Sequence, residues 1–151
     1  MVSVNKELLV NAPIEEVWAS WDKFGDIKEF HPGLNNSKLL PGSAETGVGA
    51  KRQCDLSDGK TTIFEEIVSY SPQEHMTIVL YDGNVPVKRG VIRLELESVS
   101  SHATRVLVHA DFEVKYGVLG KMMGPLLKSQ FGKAFEALLA GNAQHVEKAV
   151  A

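Results

Sequence analysis

A chain of 151 residues is long enough to bury one sizeable core and predicts a single domain over residues 1–151. With 44% hydrophobic and 23% charged residues and a net charge of -3, it has nothing that favours nucleic acid or an anionic membrane as partner. No stretch approaches the ~20 apolar residues of a membrane span, Met1–Val10 does not read as a signal peptide, and a lone cysteine, Cys54, rules out an intrachain disulfide and a cysteine-built zinc site.

Val2, Val4, Leu8 and Val10 fall on alternate positions and predict a strand, with Lys6 interrupting that face. Asn11-Ala-Pro-Ile-Glu-Glu-Val-Trp signals a helix start, with Asn11 or Ala12 near the cap and Pro13 in the first turn. Ile14, Val17, Trp18 and Trp21 sit three or four apart, so that helix is amphipathic. Phe24, Ile27 and Phe30 continue the spacing into a second helical piece, broken by Gly25 and ended near Pro32. Leu34–Leu40 is a weak strand, followed by a loop marked by Pro41-Gly-Ser and Gly47-Val-Gly49. Ala50–Leu56 and Thr61–Tyr70 read as strands joined by a hairpin with Asp58-Gly59 at its centre. Ser71-Pro-Gln-Glu turns the chain into the apolar run Met76–Tyr81, and Asp82-Gly-Asn-Val-Pro is a further loop. Val87–Val99 and Thr104–Tyr116 are the last strands, the latter alternating Val106, Val108, Ala110, Phe112 and Val114 with polar residues.

From Tyr116 onward the period changes to that of a helix. Leu119, Met122, Met123, Leu126, Leu127, Phe131, Ala134, Phe135, Leu138 and Leu139 recur at helical spacing, with Lys121 among the polar residues between them. A short turn at Val118–Met123 and a long helix from about Pro125 to about Lys148 are expected, with Pro125 at the first helical position. Strands linked by tight turns make an antiparallel sheet. The predicted fold is therefore α+β: a curved antiparallel sheet of about seven strands wrapped on a long C-terminal helix, with two short helices after the first strand. A helix held in such a sheet leaves room for a cavity.

In its order of motifs the chain resembles the START-like superfamily, also called Bet v 1-like, SRPBCC or helix-grip. More narrowly it resembles the polyketide cyclase/dehydrase and lipid-transport group. The pieces are Ala12-Pro13-Ile14-Glu15-Glu16-Val17-Trp18, Phe24-Gly25 with Phe30-His31-Pro32, Val48-Gly49-Ala50-Lys51-Arg52, Asp58-Gly59, Glu65-Glu66-Ile67 and the terminal amphipathic helix. The resemblance implies an elongated cavity between sheet and helix, opening near the loops after Pro41 and Asp82. It implies a lining that includes Cys54, Leu56, Ile63, Glu65, Ile78, Leu80, Gly90 and Ile92, with Pro86 in a gating loop. Arg52 shares the parity of Cys54 and Leu56, and from the helix Met123 and Leu127 join the expected ligand-binding set. The Ser-Gly-Leu-Pro gate of the plant hormone receptors is absent, so a hormone receptor is not expected.

Glu65 is the informative polar residue, a carboxylate on a face shared with Thr61, Ile63 and Ile67. Either it enters the cavity and anchors a ligand hydroxyl, with Arg52 or Lys88 as partner, or the opposite face, with Phe64, Val68 and Tyr70, is inward and Glu65 is solvated. Arg52 reads first as an ordinary strand-end arginine, with pairing to Glu65 the alternative, and Lys88 reads as near the cavity mouth or as turned outward by a bulge. His31 is expected to bond backbone, the alternative being donation to a ligand carbonyl. Cys54 in apolar surroundings is expected to be inert lining. His109 and Asp111 face solvent, and no histidine pair has metal-motif spacing.

Three functions compete. One is binding or transport of a small hydrophobic molecule of lipid, polyketide or isoprenoid type, which the sequence favours. Another is a cyclase or dehydrase acting in the same cavity, with Glu65, Arg52, His31 and Tyr81 as candidate groups. The third is an interaction module or stress protein whose cavity is vestigial and filled. No cofactor, metal or nucleic acid is expected, the expected location is cytoplasmic, and oligomeric state is not legible in the sequence.

Overall fold

The computed structural model describes residues 1–115 and 117–151, with the side chains of residues 118–121 outside that description. The expected apolar role of Leu119 and the placement of Lys121 and Tyr116 therefore lie outside the described residues. Among these, the strands are β1 (Val2–Val10), β2 (Leu34–Leu39), β3 (Lys51–Leu56), β4 (Thr62–Ser71), β5 (His75–Gly83), β6 (Val87–Ser100) and β7 (Ala103–Val114). They form one antiparallel sheet of seven strands in the order β1-β7-β6-β5-β4-β3-β2. Strands β2 to β7 follow each other as neighbours, as hairpins dictate, and β1 closes on β7 from Val2 opposite Phe112 to Val10 opposite Thr104. The first connection is thus the only one that must cross the sheet, and it carries two helices: α1 (Ile14–Asp22) and a 3-10 segment, Phe24–Glu29.

Helix α1 starts at Pro13, whose φ of -61° suits the position before a helix, and its first turn holds Glu15 and Glu16 where the helix dipole favours anions. It buries Val17, Trp18 and Trp21. Helix α1 gives way to the 3-10 segment at Lys23 (φ -76°, ψ 67°), and the segment itself kinks at Asp26 (φ -106°, ψ 21°), one residue beyond the Gly25 at which the sequence suggested a break. Gly25, just before that kink, also lets the backbone approach β2, since a Cβ there would meet Leu39 Cγ at 2.7 Å. The Tyr70 hydroxyl and Thr46 Oγ1 both donate to Asp22 Oδ1, at 2.6 and 2.7 Å, tying the Pro41–Ala50 loop to the end of α1. In the β3–β4 hairpin, Asp58 Oδ1 accepts the backbone N–H groups of Lys60 and Thr61, at 2.9 and 2.8 Å, while Gly59 takes φ +76°.

Helix α2 spans Gly117–Val150, 34 residues and so about 50 Å at 1.5 Å per residue. The expected turn at Val118–Met123 is helical, and Pro125 lies inside the helix, not at its start. Proline there forfeits one backbone bond; it sits in an exposed stretch, with Met122 and Leu126 mostly in solvent. The helix runs along β1, from Gly124 near Val2, through a Lys6–Glu136 ion pair, to the Asn11 N–H, which donates to Glu147. Its C-terminal half buries Leu138, Leu139, Ala143 and Val146 in a core with Val10, Val17, Trp18, Phe24, Ile67, Met76, Leu96 and Val106. Farther toward the helix start a smaller cluster joins Val2, Val87, Ala110 and Phe112 to Phe131 and Phe135.

Candidate functional site

A cavity of about 220 Å³ lies between the sheet and α2, and residues of both core clusters line it. Strand alternation supplies one wall. On β3, Arg52, Cys54 and Leu56 point inward, and the register puts Arg52 opposite Glu65 and Cys54 opposite Ile63 on β4. Glu65 in turn faces Leu80, and Ile78 faces Ile92. Gly90 sits under the Phe112 ring, which a Cβ would meet at 2.7 Å, so glycine there lets the aromatic lie flat against β6. The other wall comes from α2 through Phe131, Ala134, Phe135 and Leu138, and the end toward α1 from Trp21, Ile27, His31, Gly33 and Leu34.

Eight of the residues expected to bind ligand thus border one cavity: Arg52, Cys54, Leu56, Ile63, Glu65, Ile78, Leu80 and Ile92. Three do not. Pro86 lies between Val85 and Val87, which do line it, because a register shift after Val87 brings that residue inward. Leu127 is buried but lies one helical turn short of Phe131, beyond the cavity's extent, and Met123 is 39% exposed. The lining reaches the β5–β6 loop at Val85 but not the Pro41–Ala50 loop. The helix contribution is legible in the period of Phe131, Ala134, Phe135 and Leu138, which begins one turn beyond Leu127. Val108 and Phe112 were legible as the apolar face of β7.

The polar part of the wall is a compact cluster. Arg52 Nε and Nη2 each lie 2.9 Å from Glu65 Oε1. Arg52 Nη1 donates to the Phe24 carbonyl at 3.0 Å, and the guanidinium lies 3.9 Å from the centre of the Phe24 ring, a cation–π contact. Both charged residues are buried, 4% exposed for Arg52 and 5% for Glu65. Arg52 is therefore no ordinary strand-end arginine. The Cys54 thiol lies 3.8 Å from the same Glu65 oxygen, and burial pushes it up to about 12, so it is a proton-bearing, inert group. Lys88, the other partner considered for Glu65, is the extra residue of a β6 bulge and reaches outward to Glu113.

His31 bonds backbone, as expected, and also borders the cavity. Its Nδ1 accepts the Gly33 N–H at 3.1 Å. Burial, with the Arg52 charge adding to it, lowers its pKa to about 4, so the ring is neutral at pH 7. With Nδ1 accepting, the proton of the neutral ring sits on Nε2. His109 and Asp111 pair with each other on the solvent side of β7. Among the described residues no cluster of three or more His, Cys, Asp or Glu is placed to hold a metal, and no helix is long and apolar enough to cross a membrane.

A curved antiparallel sheet gripping a long C-terminal helix over an apolar cavity is the helix-grip arrangement of small-molecule-binding domains. The chain belongs to the polyketide cyclase/dehydrase and lipid transport family, whose sequence model matches residues 1–147. Among curated proteins no sequence matches it. Solved structures that share the fold at low identity include the following three. A protein from Thermus thermophilus is 18% identical, with a TM-score of 0.82 over 99% of both chains. A START superfamily protein from Mycobacterium smegmatis is 19% identical, with a TM-score of 0.81 over 97% of both. The ZhuI aromatase/cyclase of a Streptomyces species is 14% identical, with a TM-score of 0.83 over 99% of this chain and 95% of that one.

Proposed function

We propose that residues 1–151 form one domain that binds or carries a small hydrophobic molecule in the cavity between the sheet and α2. The observation that supports this best is an apolar cavity whose only charged lining residues, among those described, are the mutually paired Arg52 and Glu65. An engineered cavity of about 150 Å³ takes up benzene, so about 220 Å³ suits a skeleton of one to two rings or a short branched chain. Arg52, Cys54, Leu56, Ile63, Glu65, Ile78, Leu80 and Ile92 are the sheet's contribution to binding, and a cytoplasmic place is in keeping with a single, buried cysteine.

Native mass spectrometry of protein purified from its own host tests the reading: a hydrophobic mass co-purifies with the chain. Ile92→Trp fills the cavity from the sheet side, and the variant loses that mass while keeping a cooperative melt. Absence of any bound mass, together with no saturable uptake of naphthalene, would sink it.

The second reading, a cyclase or dehydrase, is favoured by one feature: a carboxylate and a neutral imidazole bordering the same cavity. Glu65→Gln separates the two. For a binding protein it weakens a hydroxylated ligand by roughly 1–3 kcal/mol. For an enzyme using Glu65 as base it leaves affinity nearly intact and cuts turnover by roughly 10²–10⁴.

A further inference from the structure

We propose that the cavity selects a neutral ligand bearing a hydroxyl, an alcohol or phenol, over the carboxylate of the same skeleton, and that Glu65 and His31 read the hydroxyl together. This rests on the ligand-binding reading above and names the class of ligand.

The charges of the wall come first. Among the described lining residues the ionisable groups are Arg52, Glu65, His31 and Cys54. Arg52 spends Nε and Nη2 on Glu65 and one N–H of Nη1 on the Phe24 carbonyl, and the Phe24 ring lies against the guanidinium. Its charge is already matched by Glu65 inside a buried pair. His31 is neutral at pH 7, and the Cys54 thiol keeps its proton. The cavity therefore offers no spare cation. A ligand carboxylate would enter without a counter-charge and beside Glu65, which is costly in a low-dielectric site.

The hydrogen-bonding capacity comes second. Every bond recorded to the Glu65 carboxylate goes to Oε1, from Arg52 and from the Cys54 thiol. Oε2 has no partner among the described residues, and Glu65 borders the cavity, so an acceptor is left over. His31 uses Nδ1 on Gly33, which leaves its Nε2–H as a donor on the same lining. A hydroxyl both donates and accepts. It can donate a hydrogen bond to Glu65 Oε2 and accept one from His31 Nε2–H on its oxygen, whereas an ether or ketone satisfies only His31 and a hydrocarbon satisfies neither.

Calorimetric titration at pH 7 with three probes of one skeleton tests this: 2-naphthol, naphthalene and 2-naphthoate. On the wild-type protein 2-naphthol is expected to bind at least tenfold more tightly than either of the others. His31→Phe keeps the ring volume and removes the donor, so 2-naphthol falls to within about threefold of naphthalene while naphthoate remains weak. Glu65→Gln leaves Arg52 without its counter-charge, so naphthoate overtakes 2-naphthol. Should that variant not fold, the His31→Phe titration and the wild-type ranking still decide. Naphthalene binding as tightly as 2-naphthol would overturn the proposal and leave the hydrophobic-cavity reading standing. Naphthoate matching 2-naphthol on the wild type would overturn it as well, and failure of all three probes to bind would remove both readings.

Discussion

The inner face of the sheet is filled at one end and hollow at the other, although both ends are built from the same strands and gripped by the same helix. At the filled end Met76, Val106, Ile67 and Val10 are almost fully buried, and Leu139, Ala143 and Val146 of α2 close over them with Trp18 from α1. At the hollow end Ile63, Ile92, Phe131 and Phe135 are only half-buried, because one side of each looks into the cavity. The difference is one of supply. The short helices lay Trp18, Trp21, Phe24, Ile27 and Phe30 against one end of the sheet, and no comparable element enters the other. Rigidity and stability belong to the first region, and room for a ligand to the second.

The sharpest way to break this comparison is truncation at both ends. Leu139→Ala, 3% exposed in the filled core, should lose about 3 kcal/mol. Leu80→Ala, on the cavity wall, removes a side chain that already borders empty space and should lose at least about 1 kcal/mol less, since it enlarges a void instead of creating one. Urea denaturation of both variants gives the measurement. Equal losses would mean that the cavity is collapsed in solution and the two ends are packed alike.

How much of this was written in the sequence depends on the same division. The strands, their hairpins and the helical period after Tyr116 were legible because alternation and 3.6-residue spacing follow directly from which face is buried. The pairing of Arg52 with Glu65 was legible as a possibility, since both sit on apolar-parity positions of consecutive strands. It could not be decided, because β4 carries apolar residues on both parities. The structure resolves that conflict with a bulge. Ile67 pairs with Ile78 and Ser69 with Thr77, so Val68 is the extra residue, and Tyr70 returns to the inner face with Ile63, Glu65 and Ile67. Lys88 is the extra residue of the same kind in β6. A one-residue irregularity leaves no periodic signal, yet it decides every side chain beyond it. Pro125 misled for a different reason: a proline marks a helix start by preference only, and 34 residues of helix absorb one missing bond.

His31 stands where the two regions meet, and its titration offers a second, somewhat smaller contrast. In the unfolded chain it takes a proton near pH 6.5, whereas in the folded protein burial and Arg52 hold its pKa at about 4. Below pH 6.5 the unfolded state therefore binds the proton first, and stability falls as pH drops toward 4; below that both states are protonated and the loss stops. Between pH 7 and pH 5 this amounts to roughly 2 kcal/mol. His31→Phe removes the dependence, so the urea midpoint of the wild type should fall relative to that of the variant as the pH is lowered across that window. Parallel pH profiles would show that His31 is solvated and does not line a dry cavity.

The finest test uses two glycines of α2, one in each half. Alanine in place of a helical glycine ordinarily gains about 0.5–1 kcal/mol, through helix propensity and a less flexible unfolded chain. At Gly141 that gain should be reversed. A Cβ there would lie 2.2 Å from the Phe30 carbonyl oxygen and 3.2 Å from Pro32 Cδ, and backbone cannot move aside as a side chain does. Gly141→Ala pushes the helix off the filled end and should cost about 1–2 kcal/mol net of the propensity gain. At Gly132, in the turn that carries Phe131, the nearest neighbour of a new Cβ is Lys6 Cε at 3.4 Å, the end of a flexible chain. Gly132→Ala should accordingly stabilise by about 0.5–1 kcal/mol. Opposite signs for one substitution on one helix, read as shifts of the thermal midpoint, would show that α2 is clamped where it meets Phe30 and only loosely seated along the hollow stretch. A loss at Gly132 as large as that at Gly141 would show the grip to be uniform, and the distinction between the two ends would not extend to the helix.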